Sequence, residues 1–464
     1  MSEQATKTKK KFEVPHSLII ILAVMLLTAV LTYIIPAGTY DRTVSESGQT
    51  VVDPESFHYV ERSPVNPIGV LGLVFQGLTD AQGIIFALMC CGGGLGIVLS
   101  TGMFQGAAGT MGRRVKGKEW VVIASLMTIF ALLCIPINLN NFIPFAPLGL
   151  VIAAALGMDA IVGISIIMLG GAVGFSCGAM NLSNTGTAQS IAELPTFSGI
   201  EYRLFCMIPF LITAIFYVVR YANRIKKDPT KSYVYGLDLG TDASLEKIPE
   251  FTKRHIPVAV VTAIGIGTMI YLALTGEAGN QTTATIFIYM GLAAGIVYGM
   301  KPNDICKEFI KGLKSMAGTS MMIGFAYTIA IILTDGNIMD TVVHALAGVL
   351  SYIPHIFQAP AMFIMHIIIN LLITSGSGQA AASMPIMVPV ADLLGMSRQT
   401  AVLAFNFGDG FCNNILPHAA ATMGFVGAAG IPFGRWFSYA IKLFLLWVVV
   451  GCILLMLATV IGYS

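Results

Sequence analysis

The chain has 464 residues, of which 56% are hydrophobic and 11% charged, with a mean hydropathy of +0.80. Its formal net charge of +2 offers no basic surface for nucleic acid, and so apolar a composition excludes an ordinary soluble enzyme or binding module. What remains is an all-α polytopic membrane protein whose partner is the lipid bilayer.

In chain order, residues 1–15 read as a basic cytoplasmic tail, with Lys7, Lys9, Lys10 and Lys11 ahead of a first apolar run at Ser17–Ile35. That run is too long for a signal-peptide core and reads as a retained helix. Further spans of roughly 20 apolar residues fall at Ile84–Thr101, Arg203–Arg220, Ile256–Thr275, Thr283–Met300, Met316–Thr334 and Trp436–Ile461. Basic residues cluster at Arg113–Lys118, Arg224–Arg254 and Lys301–Lys314. Placing these clusters inside leaves Arg42, Arg62, Arg203 and Arg398 on the outer face, so the amino terminus is expected in the cytoplasm. Ala37–Pro67 becomes a long outer loop. Seven of the eight cysteines lie in apolar segments, which implies neither a disulfide nor a cysteine metal site. The run Gly92-Gly-Gly-Leu-Gly96 reads as close helix packing.

The chain also repeats itself. Asn141-Phe-Ile-Pro-Phe-Ala-Pro147 and Leu156-Gly157-Met158 recur 238 positions later as Gln379-Ala-Ala-Ala-Ser-Met-Pro385 and Leu394-Gly395-Met396. Leu71–Leu78 before one span matches Phe309–Leu313 before another, at nearly the same offset. Orientation makes 120–158 enter and leave on the cytoplasmic face as a re-entrant hairpin, with its turn at Pro136–Pro144, whereas 359–395 enters from outside and turns at Thr374–Gln379. The expectation is two inverted repeats, 16–221 (hairpin 120–158, broken helix 159–192) and 283–461 (hairpin 359–395, broken helix 398–428). A cytoplasmic linker and an unmatched helix at 222–282 join them.

Lipid cannot hydrogen-bond a bare backbone, so interrupted helices at membrane depth mark the site. At the hairpin turns, Asn138, Asn140 and Asn141, and Ser375, Gly376, Ser377, Gly378 and Gln379, place helix N-termini suited to a carboxylate, although the asparagines can also serve as caps. In the first break, Asn181, Ser183, Asn184, Thr185, Gly186 and Thr187 offer carbonyls and hydroxyls to Na⁺ or a substrate ammonium. The second break offers Asn413, Asn414 and His418. Asp409 stands 11 residues beyond Arg398, about 16 Å down a helix and near the middle of a ~30 Å core. A carboxylate there is costly and reads as an ion, proton or substrate site, with no Lys or Arg at its depth and Lys442 the only basic residue inside a span. Asp159, Glu193 and Asp335 fall near interfaces and are discounted, and His366 reads as a hydrogen-bonded helix residue.

The tip Ser375-Gly-Ser-Gly-Gln-Ala380, the segment Phe407-Gly-Asp-Gly-Phe-Cys-Asn-Asn-Ile-Leu-Pro417 and the break Asn181–Thr187 resemble the bacterial YfcC-like permeases, relatives of anaerobic four-carbon dicarboxylate carriers and basic amino-acid antiporters. The resemblance covers nearly the whole chain. It implies a homodimer of the ion-transporter superfamily, each protomer with a scaffold domain and a transport domain working as an elevator. It places the site at Asn138–Asn141, Asn184–Thr187, Ser375–Gln379 and Asn413–Asn414. Related dicarboxylate transporters carry Ser-Asn-Thr in both halves, whereas here Ser183-Asn-Thr185 has no counterpart at Ser375-Gly-Ser-Gly. Sodium near Asn184, Thr185, Ser377 and Asn413 is therefore open, as is proton coupling. No enzyme motif is found, no cofactor is expected, and oppositely directed hairpins favour a carrier over a channel. A basic amino acid such as arginine or ornithine, taken by exchange, is the expected substrate. A C4-dicarboxylate coupled to Na⁺ or H⁺ is the alternative.

Overall fold

A computed structural model describes residues 17–44, 50–52, 56–114, 117–195, 197–237, 251–275, 277, 279–350 and 352–464. The expectations for Lys7–Lys11, Lys116 and the linker at 238–250 lie outside the described residues. The first helix, α1 (Ser17–Ile34), is followed by strands β1 (Gly38–Thr39), β2 (Arg42–Val44), β3 (Thr50–Val52) and β4 (His58–Tyr59). β1 pairs antiparallel with β4, and β2 with β3. Next come α2 (Val74–Asp80), α3 (Gln82–Ser100), α4 (Met103–Arg114) and α5 (Glu119–Leu133), then a tight turn at Leu139–Phe145 leading into α6 (Ala146–Ala155). They are followed by α7 (Ala160–Cys177), α8 (Thr187–Ile191), α9 (Ile200–Lys227), α10 (Ile256–Leu274), α11 (Asn280–Tyr298) and α12 (Pro302–Asp335). The chain closes with α13 (Met339–Leu350), α14 (His355–Asn370), α15 (Gly376–Leu393), α16 (Arg398–Cys412), α17 (Ala420–Ala428) and α18 (Phe433–Ile461).

Among the described residues seven helices, α3, α7, α9, α10, α11, α12 and α18, are long and apolar enough to cross a membrane. The helices pack in two groups. In one, α3 lies against α11 and α12, α1 and α2 against α12, and α10 against α11. In the other, α7 is wrapped by α5, α6, α9 and α16, while α16 is wrapped by α14, α15 and α18. All 18 residues of α7 are buried, as expected for a helix that is apolar on every side.

Between helices in lipid there is little hydrophobic drive, so close backbone approach through small residues does the packing. A Cβ at Gly291 of α11 would lie 2.5 Å from the Gly94 carbonyl oxygen of α3, and one at Gly92 of α3 would lie 2.9 Å from the Gly312 oxygen of α12. The glycine run of α3 is thus the face on which α11 and α12 close. Gly149 of α6 and Gly170 of α7 make similar approaches, their Cβ positions falling 2.6 Å from the Gly163 oxygen and 2.7 Å from the Met127 oxygen.

Three features differ from the sequence reading. The span expected at Met316–Thr334 is the inner part of the 34-residue α12, which also takes in Phe309–Leu313. Hydropathy detects only the apolar half. Pro302 at the first turn starts the helix well outside it, and about 51 Å of helix exceeds a ~30 Å core. Second, α4 and α13 were not anticipated. α13 is held by Asp340, whose carboxylate accepts from Arg42 Nη2 at 2.7 and 2.8 Å and from the Tyr40 amide at 3.1 Å. The Phe57 ring also stacks on His344 of α13, with centroids 3.9 Å apart. Third, α9 runs 28 residues and carries Arg203 into the interior. Replacing Gly291 by Val is expected to cost about 1–3 kcal/mol or more by overpacking. Gly267→Val, at a position with nothing within 4 Å of the added carbon, should be nearly neutral. Thermal unfolding of the two purified variants checks the contrast.

Candidate functional site

Four interrupted segments meet between the two helix groups around a cavity of about 370 Å³. In the first turn the Asn138 backbone is extended and its side-chain oxygen accepts from the Asn140 amide at 3.1 Å, so Asn138 does act as the cap. Asn141 reaches the other group, its Nδ2 donating to Thr283 Oγ1 of α11 at 3.2 Å. In the second turn Ser375 caps α15, its hydroxyl accepting from the Gly378 amide at 3.3 Å. The first turn of α15 starts against the cavity, with Thr374, Ser375, Gly376 and Ser377 on its wall.

The first break begins at Gly178, which ends α7 in the left-handed region at φ +62°, a conformation that glycine adopts at little cost. Beyond it, Asn181 accepts the Asn184 amide on its side chain at 3.0 Å, and residues 182–186 form one wide π-type turn before α8. The second break follows Cys412. There Asn414 holds the end of α16 through Nδ2, which donates to the Gly410 and Phe411 carbonyls at 3.2 and 3.1 Å, and its own carbonyl accepts from Trp436 Nε1 at 2.8 Å.

Asp409 is fully buried on α16. Asn184 Nδ2 donates to its Oδ2 at 2.7 Å and Asn413 Nδ2 to its Oδ1 at 3.2 Å, while Asn370 Nδ2 donates to its backbone carbonyl at 2.8 Å. No basic side chain pairs with it among the described residues. A buried carboxylate costs several kcal/mol unless donors satisfy it, and here neutral amides do so. Asp409 does not itself face the cavity. Asn184, Gly376 and Asn413 line the wall and also touch Asp409, so the acid stands one residue layer behind. A Cβ on Gly376 would lie 2.9 Å from Asp409 Oδ2 and 3.1 Å from Asn184 Cγ, so only glycine lets the tip of α15 rest on this pair.

Of the residues singled out from the sequence, Asn138, Asn140, Asn141, Asn181, Asn184, Ser375, Gly376, Ser377, Asn413 and His418 line the cavity. Thr185, Gly186, Thr187, Gly378, Gln379 and Asn414 do not. Thr185 Oγ1 accepts from Asn406 Nδ2 at 3.1 Å, and Gln379 Nε2 donates to the His366 carbonyl at 3.0 Å. The side chain of Ser183 lies outside the described residues. Among the residues considered for Na⁺, Asn184 keeps a buried side-chain oxygen without a donor, whereas Asn413 Oδ1 accepts from Asn370 Nδ2 at 3.3 Å. Among the described residues no Lys, Arg, Asp or Glu is on the wall.

Several residues escaped the sequence reading. Asn280 and Tyr327 line the cavity from α11 and α12. Asn280 looked like part of a loop, and Tyr327 looked like one apolar residue among many. Asn370, on α14, was hidden in an apolar run. Arg203, placed on the outer face beside Glu201, is fully buried and donates to Asn406 Oδ1 at 2.6 Å, so Lys442 is not the only basic residue within a span. Its signal was its position inside an apolar periodic stretch, which a charge at a helix end obscures. Gly376→Ala is expected to destabilise by about 1–3 kcal/mol, because neither the carboxylate nor Asn184 can retreat in a packed interior. Gly378→Ala, whose added carbon comes no closer than 3.3 Å to any neighbour, should be far milder. Unfolding midpoints of the two purified variants test this.

Residues 14–460 match the family described as DcuC, the C4-dicarboxylate anaerobic carrier. The chain is 28% identical, over an alignment of 500 positions covering 99% of each chain, to a protein of Escherichia coli (strain K12) that carries the provisional name basic amino acid antiporter YfcC. An uncharacterized protein of Haemophilus influenzae is 24% identical, with 97% of each chain covered. Among solved structures, the YdaH transporter of Alcanivorax borkumensis aligns with 97% of this chain and 99% of its own at 18% identity and a TM-score of 0.45. MtrF of Neisseria gonorrhoeae, described as representing a class of antimetabolite efflux pumps, aligns with 95% of each at 17% identity and the same score.

Proposed function

The chain belongs to the C4-dicarboxylate anaerobic carrier family, and from that membership we propose that this multi-pass membrane transporter is a secondary carrier of an amine-bearing amino acid, with a basic amino acid such as arginine or ornithine as the first choice. The observation that carries the reading is the polarity of the cavity. The turns at Asn138–Asn141 and Ser375–Ser377, each at the start of a returning helix, stand on its wall, while the carboxyl group of Asp409, without a cationic partner among the described residues, stands one layer behind. A carboxylate is stabilised at the first and a cation by the field of the second.

The position of the cavity supports alternating access. It lies between the group around α3, α11 and α12 and the group around α7 and α16, so a rigid shift of the second group past the first would carry the site across the membrane as an elevator does. The packing of α5 and α6 on α7, and of α14 and α15 on α16, fits two inverted repeats. The scaffold is then the first group and the transport domain the second. A homodimer in a bacterial inner membrane, amino terminus inside, completes the proposal.

A second reading is favoured by the absence of charged side chains from the wall. Two donor-rich helix ends suit two carboxylates, and Na⁺ or H⁺ on Asp409 would neutralise the remaining repulsion, making the protein a cation-coupled C4-dicarboxylate carrier. Thermal unfolding of the purified chain with arginine, ornithine, lysine, succinate and fumarate, each with and without Na⁺, separates the two, because a ligand of the folded state raises the midpoint by mass action. Stabilisation by a basic amino acid is expected. Stabilisation by succinate or fumarate alone would establish the second reading in its place. Asp409→Asn should retain folding and lose at least tenfold in counterflow of the stabilising ligand into preloaded liposomes. Wild-type counterflow by that variant would remove Asp409 from the mechanism.

A further inference from the structure

Arg203 has no role in the proposed reaction, yet it is the only fully buried arginine among the described residues. Its partners are all neutral: Asn406 Oδ1 at 2.6 Å, Gln399 Oε1 at 3.3 Å and the Gly178 carbonyl at 3.4 Å. A buried guanidinium is expensive, and charged groups at membrane depth are retained mainly where they act.

The two edges of the first break both close on this group. Gly178, where α7 stops, gives Arg203 its carbonyl. Thr185, on the far side of the turn, accepts from Asn406 Nδ2 at 3.1 Å, and Asn406 is itself held by Arg203. The fit leaves no slack, since a Cβ at Gly178 would lie 2.5 Å from Thr185 Oγ1 and 2.6 Å from Asn406 Cγ. One turn further along α16, Asp409 receives Asn184, the residue next to Thr185. The break is therefore pinned to α16 at two successive turns, once through Asn406 and once through Asp409.

We propose that Arg203 is a positioning residue that fixes the width of the first break through the Gly178 carbonyl and the Asn406–Thr185 bond, and thereby sets where Asn181 and Asn184 stand on the cavity wall. The proposal rests on the reading that this break forms part of the binding site. Its test needs no substrate, so a wrong substrate assignment leaves it standing.

The test is a double-mutant cycle on the full chain in lipid nanodiscs, read as unfolding midpoints. Arg203→Met removes the brace, and Asn184→Ala removes the contact with Asp409. Asn184 is uncharged and makes no hydrogen bond with Arg203, so coupling between them is indirect, carried by the turn and by the Asn406–Asp409 stretch of α16 to which the turn is pinned. Each single variant should lower the midpoint, and the double should melt close to the less stable single. Arg203→Met combined with Tyr221→Phe, at the far end of α9, should lose the sum of the two single shifts. Arg203→Lys keeps the charge but cannot bridge the same acceptors in one plane, and it should behave like Arg203→Met. If Arg203→Met does not fold, Asn406→Leu takes its place in the cycle, because it cuts the same bridge. Additive losses for Arg203→Met or Asn406→Leu with Asn184→Ala would overturn the proposal, as would a coupled, wild-type-like Arg203→Lys.

Discussion

A helix that stops inside a bilayer leaves backbone donors and acceptors that lipid cannot satisfy, and the centre of this protein is organised around meeting that constraint. Several of these ends are closed by side chains. Asn138 and Ser375 cap the hairpin turns, Asn181 caps the π-type turn, and Asn414 and Trp436 close the end of α16. Capping and ligand binding draw on the same groups, so satisfying the break also builds a polar cavity in an apolar bundle.

The electrostatics follow from that arrangement. Asp409 and Arg203 lie in the same helix group without forming an ion pair, each hydrogen-bonded to neutral amides and carbonyls, and Arg203 Nε is left buried without a hydrogen-bond partner among the described residues. Their mediators, Asn406 and Asn184, are hydrogen-bonding residues with a fixed geometry. A direct pair would join the two groups, whereas this arrangement leaves Asp409 a single layer of side chains behind the cavity wall. The packing behind the layer is close, with Gly376 and Gly178 both at positions where a methyl group would clash.

The outer features serve placement. The Asp340 cluster with Arg42 and Tyr40 fastens α13, the link between α12 and α14, and so anchors the start of the second hairpin. On the opposite side, Asp159 caps α7 and accepts from Tyr221 at 2.5 Å and Ser232 at 2.6 Å, which ties the segment after α9 to the base of the second helix group.

Membrane class, the apolar helices and the interruptions were all legible in the sequence, because a Gly-Ser-Gly or Asn-Leu-Asn-Asn run at membrane depth conflicts with the local hydropathy. Counting helical residues down from Arg398 set Asp409 deep in the bundle, and its side chain is fully buried. The reach of α12 was not legible, since its first turns are charged and largely exposed and hydropathy is blind to them. The burial of Arg203 was equally hidden, because the acceptors that make it tolerable come from Gly178, Gln399 and Asn406, the last two about two hundred residues away. Which polar groups must be accommodated among apolar helices is written in the residue order. Which of them face the cavity and which stand behind it is set by the packing of the helices. That choice depends on contacts such as Asn184 with Asp409, 225 residues apart, and on interhelical distances that local pattern cannot encode.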